Sequence, residues 1–270
     1  MAEVAQALVD GEWASSIPLD DRGFLFGDHV FETLLLYGAM APLWPLHWQR
    51  LRRGCDALGI HCPDEGVLLD DLARLATHTP QVVRITLTRG SSPGGYWPSP
   101  MSETRRVVHP RRWPAEILNQ REHGLTAMSA RHALSTVQDM GHEGLKHGNR
   151  LAQVTLALEA QAKGVEELLV YRHDGSLAEG IASNVVLSIE GQLKVPTTPE
   201  VSGVGIEWLR HNGVELDSKA LGREDVEAAS EIMMVNAIAG VRPVAYIDGR
   251  PLTARVHCRA LQAIWSALLP

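Results

Sequence analysis

The feature that most constrains the fold of this sequence is a series of short apolar runs in its second half, separated by turns that contain glycine. Residues 168–171 precede an Asp-Gly pair at 174–175, and residues 185–189 are joined to residues 193–195 by a Glu-Gly pair at 190–191. Such dipeptides between β-branched runs are typical of β-hairpins. We therefore expect a β-meander here, and a mixed α/β (α+β) fold rather than a regular array of βαβ units.

Two segments predict amphipathic helices that end at a glycine. Residues 45–58 are followed by Gly59, and residues 149–163 by Gly164. Glycine directly after an apolar periodic segment is a common helix stop. A shorter helix is predicted for residues 205–211. The stripe that we expect to face the core in the 149–163 helix consists of Leu151, Val154, Leu158 and Ala162.

The first half contains strands and ends in a basic segment that is bracketed by prolines. Residues 31–37 and 81–88 are predicted strands because they are rich in β-branched and apolar side chains. The segment from His109 to Pro114 carries two arginines between two prolines, which favours a linker. The predicted organisation is a smaller N-terminal α/β domain over residues 1–110, a linker over 111–114 and a larger C-terminal domain over 115–270.

Composition excludes several classes of protein. The net charge of −7 argues against a nucleic-acid-binding surface, and the sequence contains no run of roughly 18 apolar residues that could span a bilayer. The N-terminus lacks the pattern of a signal peptide. The three cysteines have no metal-like spacing and fit a reducing compartment, so we expect a cytoplasmic protein. The twelve histidines show no His-Glu-x-x-His spacing, so we expect no metal site.

Four features could carry chemistry, although each alone is more often an ordinary surface feature. Lys146 lies between glycines just before a predicted helix, where its amine could point into a cleft and form a Schiff base. Glu179 follows a predicted strand and could keep a pyridine nitrogen protonated. Gly205 is at the start of a predicted helix, where backbone N–H groups can bind phosphate. Arg50 could add a charge-assisted contact.

The ordered set of motifs resembles the fold-type IV pyridoxal-phosphate enzymes, which include aminotransferases and aminodeoxychorismate lyases. The resemblance extends over nearly the whole chain. It consists of Asp21 to Thr33, His47 to Leu51, Thr88-Arg89-Gly90, the Lys146 segment, Glu179 with Asn184, Gly205-Ile206 and Val235-Asn236-Ala237.

This resemblance implies a cofactor, a set of binding residues and an assembly. The cofactor is pyridoxal 5'-phosphate, and the family fold holds it between a smaller and a larger domain. The members are usually homodimers that act on small molecules. Lys146 would form the Schiff base and move protons, and Glu179 would pair with the pyridine nitrogen. The phosphate would be held by Arg50, by Gly205 and Ile206, and by the segment Asn236, Ala237 and Ile238.

Within this family, Asn149-Arg150-Leu151 after the lysine and the loop from Arg89 to Tyr96 look most like aminodeoxychorismate lyase. That enzyme converts 4-amino-4-deoxychorismate to 4-aminobenzoate and pyruvate, a step towards folate. The implied substrate ligands are Arg89, Tyr96 and His29. The departures from the pattern are His29 in place of glycine, Gly94 or Gly95 in place of an arginine, and Trp208 in place of an arginine.

Two alternatives remain from the sequence. A transaminase acting on D-amino or branched-chain amino acids would use the same lysine and cofactor. A non-catalytic paralogue that binds the cofactor or a metabolite would keep Arg50 and the Gly205 turn without needing Lys146. Because Lys146 is present in the expected context, the sequence favours an enzyme.

Overall fold

The computed structural model describes residues 6–93, 95–131 and 144–268, which form two units. Within these ranges the first unit comprises the chain up to Trp113 together with the segment Leu145–Asn149. The second unit comprises the rest of the chain from Pro114 onward. Gly94 lies outside the described residues. No helix in the described ranges is long and apolar enough to cross a membrane.

In its described residues, the first unit has five antiparallel strands and three helices. Its elements are β1 (Ala7–Val9), β2 (Glu12–Ala14), α1 (Arg22–Phe26), β3 (His29–Gly38), α2 (Trp44–Leu58), α3 (Glu65–Arg74), β4 (Thr77–Thr88) and β5 (Arg105–Arg112). The strands form one sheet in the order β2-β1-β5-β4-β3. The predicted strands at 31–37 and 81–88 and the predicted helix at 45–58 all occur within it.

Helix α2 packs on the apolar face of β3, and a glycine permits their close approach. Val30 and Leu34 of β3 share a buried cluster with Leu51 and other residues of α2. A Cβ on Gly54 of α2 would lie 2.9 Å from Cγ1 of Val30, closer than real side chains pack. This contact fixes α2 over the strand that carries Glu32.

The second unit contains nine strands and five helices in its described residues. They are α4 (Glu116–His123), β6 (Leu125–Ser129), α5 (Leu151–Lys163), β7 (Glu167–Tyr171), β8 (Leu177–Glu179), β9 (Asn184–Ile189), β10 (Gln192–Pro196), α6 (Val204–His211), β11 (Asp217–Lys219), α7 (Arg223–Ala228), β12 (Glu231–Asn236), β13 (Gly240–Ile247), β14 (Arg250–Pro251) and α8 (Val256–Ser266). The sheet order is β11-β10-β9-β12-β13-β6-β7-β8, with β14 paired to β13.

The predicted meander is wrong at one connection. β9 and β10 form the expected hairpin, but β9 pairs on its other edge with β12, and β7 pairs with β6 and β8. Residues 185–189 are all buried. A strand buried on both faces needs a hydrogen-bonding neighbour on each edge, and here a strand distant in sequence supplies one of them.

Helix α5 presents a different face to the core from the one predicted. Leu151, Val154 and Leu158 are 77%, 53% and 60% exposed, whereas Leu156 and Ala160 are buried against β7. The sequence contains a second apolar stripe, made mainly of alanines and Leu156. Small side chains let a helix approach a sheet closely, which explains why this stripe is the buried one.

The boundary between the units differs in detail from the sequence expectation. Arg111 and Arg112 lie in β5, paired with Val82 and Gln81, and the change of unit occurs between Trp113 and Pro114. Lys146, expected in the C-terminal domain, lies in the segment Leu145–Asn149 that groups with the first unit.

Candidate active site

The segment that carries Lys146 lies along the edge of β3. The backbone N–H of Phe31 donates to the carbonyl of Lys146 over 2.9 Å, and the N–H of Gly148 donates to the carbonyl of His29 over 2.9 Å. These bonds attach the lysine to a rigid strand. Its Nζ lies 4.6 Å from the centroid of the Phe31 ring.

The Phe31 ring also contacts a second cation. Cζ of Arg84, on the neighbouring strand β4, lies 3.7 Å from the ring centroid. A guanidinium at this distance is attracted to the negative face of the ring. Lys146 and Arg84 therefore meet the same aromatic side chain. Arg84 was missed from the sequence, and the available signal was a charged residue within an otherwise apolar run.

Glu32 forms a buried ionic cluster on the other face of β3, against α2. Its carboxylate accepts bonds of 2.7 Å from Nε and Nη2 of Arg50 and lies 2.6 Å from Nδ1 of His47. Burial alone would raise the pKa of Glu32, but the charges and hydrogen bonds of Arg50 and His47 hold it well below its usual value. Glu32 is therefore an ionised anchor for Arg50.

His47 completes this cluster beside the carboxylate of Glu32. Burial lowers the pKa of its imidazole, the Glu32 carboxylate opposes that shift, and the charges of Arg50 and Lys146 lower the pKa further. Arg50, the predicted phosphate ligand, is held in place by two of its N–H groups. The cluster thus holds the guanidinium of Arg50 in a fixed position. Both Arg50 and Lys146 are close enough to His47 for their charges to affect its pKa.

The predicted substrate ligand Arg89 takes part in a structural network. It makes four hydrogen bonds, two to the carboxylate of Asp28 and one each to the carbonyls of Leu58 and Gly59. Burial would raise the pKa of Asp28, but hydrogen bonds from Arg89 and Arg22 hold it below its usual value. These partners tie the end of α2 to the start of β3, so the guanidinium stabilises the first unit.

His29 and Tyr96, the other predicted substrate ligands, have contrasting surroundings. Both ring nitrogens of His29 are buried without a hydrogen-bond partner among the described residues. Burial and the charge of Arg84 lower its pKa. A Cβ on Gly148 would lie 2.2 Å from Cε1 of His29, so the imidazole fills the space beside a glycine. Tyr96 is 79% exposed, and its ring centroid lies 5.4 Å from that of Phe26.

Glu179 is at the end of β8 in the second unit, where it is buried. Its Oε2 accepts a 3.1 Å bond from the N–H of Val201. The Nδ2 of Asn184 donates to the carbonyl of the same residue over 3.0 Å. Glu179 and Asn184 thus hold the backbone that leads into α6.

Gly203 is the N-cap residue of α6, and among the described residues it receives no side-chain capping hydrogen bond. Gly205 lies against β12, since a Cβ there would be 2.9 Å from Cγ1 of Val235. The first-turn amides, including that of Ile206, lack intrahelical acceptors. Such a terminus binds anions. Trp208, in the next turn, has a buried Nε1 without a partner among the described residues.

The turn after β12 contains Asn236, Ala237 and Ile238, the segment that the sequence predicts to hold phosphate. Oδ1 of Asn236 accepts from the N–H groups of Ile238 and Ala239 over 3.0 and 2.7 Å. The amide of Ile238, predicted to hold phosphate, is therefore already bonded inside the turn. The phosphate contacts of Ala237 and Ile238 remain predictions.

Several known proteins are similar to this chain over most of its length. A family model described as amino-transferase class IV matches residues 29–247. The aminodeoxychorismate lyase of Vibrio harveyi is 26% identical over 250 residues, which cover 89% of this chain and 90% of the relative. The D-alanine aminotransferase of Bacillus licheniformis is 24% identical over 277 residues, with 93% of each chain covered.

A solved structure is also similar along its full length. The 4-amino-4-deoxychorismate lyase from Pseudomonas aeruginosa superposes with a TM-score of 0.86 and 29% identity, covering 97% of this chain and 99% of that chain. The family model covers well over half of the chain. The chain therefore belongs to the class IV aminotransferase family, whose members are pyridoxal-phosphate-dependent enzymes.

Proposed function

We propose that this protein is an aminodeoxychorismate lyase, which converts 4-amino-4-deoxychorismate to 4-aminobenzoate and pyruvate in folate biosynthesis. The two products together contain all atoms of the substrate, so the reaction needs neither an amino acceptor nor an external oxidant. The observation that carries the proposal is the guanidinium of Arg84, which contacts the same Phe31 ring as Lys146. A substrate with two carboxylates requires positive charge near the reacting lysine.

The residues present fit the cofactor of the family. The N-terminus of α6, where Gly205 lies against β12, would offer backbone N–H groups to the phosphate. Ile206, Asn236 and Ala237 would complete that contact, and Arg50 would add charge. Glu179 would accept a hydrogen bond from the pyridine nitrogen. When bound, the cofactor supplies an electron sink for the chemistry.

The protein side chains have separate tasks in this proposal. Lys146 would bind the cofactor covalently, and its amine would take the proton from the substrate carbon that bears nitrogen. Arg84 would orient a substrate carboxylate. His29 would face the substrate with a neutral imidazole, since its pKa is lowered. Arg89 acts indirectly, because it holds Asp28, and the exposed Tyr96 would contact the substrate.

A transaminase acting on D-amino or branched-chain amino acids is the second candidate. The D-alanine aminotransferase of Bacillus licheniformis matches 93% of this chain. Such an enzyme would need a keto acid to complete its cycle. The arginine at position 84 favours a dianionic substrate over a branched-chain amino acid, whose side chain is apolar.

The deciding experiment supplies purified protein with aminodeoxychorismate alone, and in parallel with D-alanine or leucine plus 2-oxoglutarate. We expect 4-aminobenzoate without any keto acid, and loss of about 10²–10⁴-fold in rate for Lys146→Ala. Keto-acid-dependent turnover without 4-aminobenzoate would reject the lyase. Borohydride reduction followed by peptide mass spectrometry should place the cofactor on Lys146.

We also propose that the protein is a cytoplasmic homodimer. The support is its membership of the family and its cysteine usage, with free thiols at Cys55, Cys62 and Cys258. Light scattering coupled to gel filtration would measure the mass in solution. A monomer that retains full activity would contradict the assembly.

A further inference from the structure

Two arginines lie next to the Asn236–Ala239 turn of the second unit. Nε of Arg121, on α4, donates to the carbonyl of Ala239 over 2.6 Å. Arg242, on β13, is only 9% exposed, and its Nη1 donates over 2.9 Å to Oε1 of Gln120, the neighbour of Arg121. Burial and the charge of Arg242 both lower the pKa of Arg121, which reflects their proximity. Like charges held together in a buried layer are unfavourable unless an anion balances them.

Arg242 is joined to the same turn through a serine. Its Nη2 donates to Oγ of Ser183 over 2.8 Å, and Nδ2 of Asn236 donates to that oxygen over 3.2 Å. Nδ2 of Asn236 also lies 3.2 Å from the carbonyl of Ala182, and its Oδ1 closes the turn. The orientation of Asn236, and with it the turn, therefore depends on Arg242.

Two carboxyl groups of the second unit interact electrostatically with Arg242, the buried Glu167 and the solvent-exposed Glu166. The buried carboxylate near Arg242 is Glu167, whose pKa is raised by burial. Oε1 of Glu167 accepts from the N–H groups of Ile181 and Leu168 over 2.7 and 3.2 Å. Nε of Arg242 is buried without a partner among the described residues. Around the turn, two guanidinium groups thus lie near one buried carboxyl group, Glu167, and one exposed carboxyl group, Glu166.

We propose that Arg121 and Arg242 are positioning residues that hold the Asn236–Ala239 turn and give it the positive potential that selects the phosphate of the cofactor. The inference rests on the proposed cofactor site. The two side chains would favour phosphate without contacting it. They would do so through hydrogen bonds that hold the turn and through the electrostatic potential of their positive charges.

The test compares the affinity for pyridoxal phosphate with that for pyridoxal, which lacks the phosphate. The holoenzyme is purified, its cofactor is removed by dialysis with cysteine, and each compound is titrated back by absorbance. We expect Arg242→Met to weaken pyridoxal-phosphate binding by about tenfold, and pyridoxal binding by less than about twofold. Arg242→Lys should restore part of the selectivity, since it keeps the charge.

Ser183→Ala and the matched control Arg259→Met complete the experiment. Ser183→Ala keeps both arginines but breaks the link to Asn236, so it should reduce phosphate selectivity even if Arg242→Met fails to fold. Arg259 is an exposed arginine of the same unit and should have no effect. Equal losses for both compounds, or no benefit from Arg242→Lys, would overturn the inference. A wild-type protein that never binds pyridoxal phosphate would instead reject the proposed function, and this inference with it.

Discussion

The two units each bury a glutamate, but they stabilise it by different means. Glu32 in the first unit is 1% exposed and Glu167 in the second is 4% exposed. Glu32 contacts a guanidinium and an imidazole directly. Glu167 accepts backbone N–H groups. The pKa of Glu32 is consequently held low, whereas the pKa of Glu167 is raised by burial.

This difference shows that burial alone does not determine the protonation of a carboxyl group. A direct cationic partner makes the ionised form part of the fold, and its loss leaves a buried charge unpaired. Backbone amides stabilise a carboxylate less strongly, and a neutral group of the same shape can accept the same bonds. The two glutamates should therefore respond differently to substitution and to pH.

The largest effect is expected for Glu32→Gln. The substitution leaves the buried Arg50 without its counter-ion, so the free energy of unfolding should fall by about 3–5 kcal/mol. Urea denaturation followed by circular dichroism measures this value. The double variant Glu32→Gln with Arg50→Met is the control and should be less destabilised than the single variant. If Glu32→Gln lowered the free energy of unfolding by less than about 1 kcal/mol, the proposed difference between Glu32 and Glu167 would be wrong.

The pH dependence should have opposite signs at the two sites. Because the folded-state pKa of Glu32 lies below its usual 4.5, its stabilisation is present above that pH and is lost on acidification below it. The folded-state pKa of Glu167 lies above 4.5, so its contribution rises as the pH falls towards that value. Each slope is limited to about 1.4 kcal/mol per pH unit.

Unfolding free energies measured at several pH values for wild type and for each glutamine variant would separate these effects. The difference between wild type and Glu32→Gln should narrow below pH 4.5. The difference between wild type and Glu167→Gln should change only above that value. Slopes of the same sign would refute the contrast.

Glu167→Gln itself should be mild at neutral pH. The glutamine carbonyl can still accept from Ile181 and Leu168, so we expect a loss of about 1 kcal/mol in unfolding free energy. Glu167→Leu is the matched comparison, because it cannot accept these bonds. If the two variants were equally destabilised, the backbone hydrogen bonds would not be the main support of this side chain.

The smallest effect is expected at Leu158 on α5. Here too, the surroundings of a side chain and not its residue type determine how much it contributes to stability. Leu158 is 60% exposed, so Leu158→Ser should change the unfolding free energy by less than about 0.5 kcal/mol. Leu156→Ala, on the buried face, should cost about 2–5 kcal/mol. Thermal denaturation would compare them. A large loss at Leu158 would show that this stripe is covered in solution.

Local patterns predicted several elements well. β3, β4, α2 and α6 were identified by apolar periodicity and glycine stops, which depend on neighbouring residues. The pairing of β9 with β12 was not accessible, because nothing local records which distant strand completes a sheet. α5 has two apolar stripes, and the choice between them depends on the surface that receives the helix.

The candidate site shows the same limit. Lys146, Glu179 and Gly205 were recognised through their motifs, whose residues are close in sequence. The partners that occupy Arg89 and Arg50 come from other elements, so a motif cannot reveal that these guanidinium groups are already engaged. Arg84 was missed because its significance depends on the Phe31 ring of the adjacent strand.

The segment Leu145–Asn149 affects how the protein can be divided experimentally. It completes the edge of β3, yet the chain on both sides of it belongs to the second unit. A fragment that stops at Trp113 would expose that edge strand and lack Lys146. Experiments that isolate or exchange the first unit should therefore keep residues 145–149 together with residues 1–113, for example in a permuted chain order. A single cut in the chain would separate these two parts.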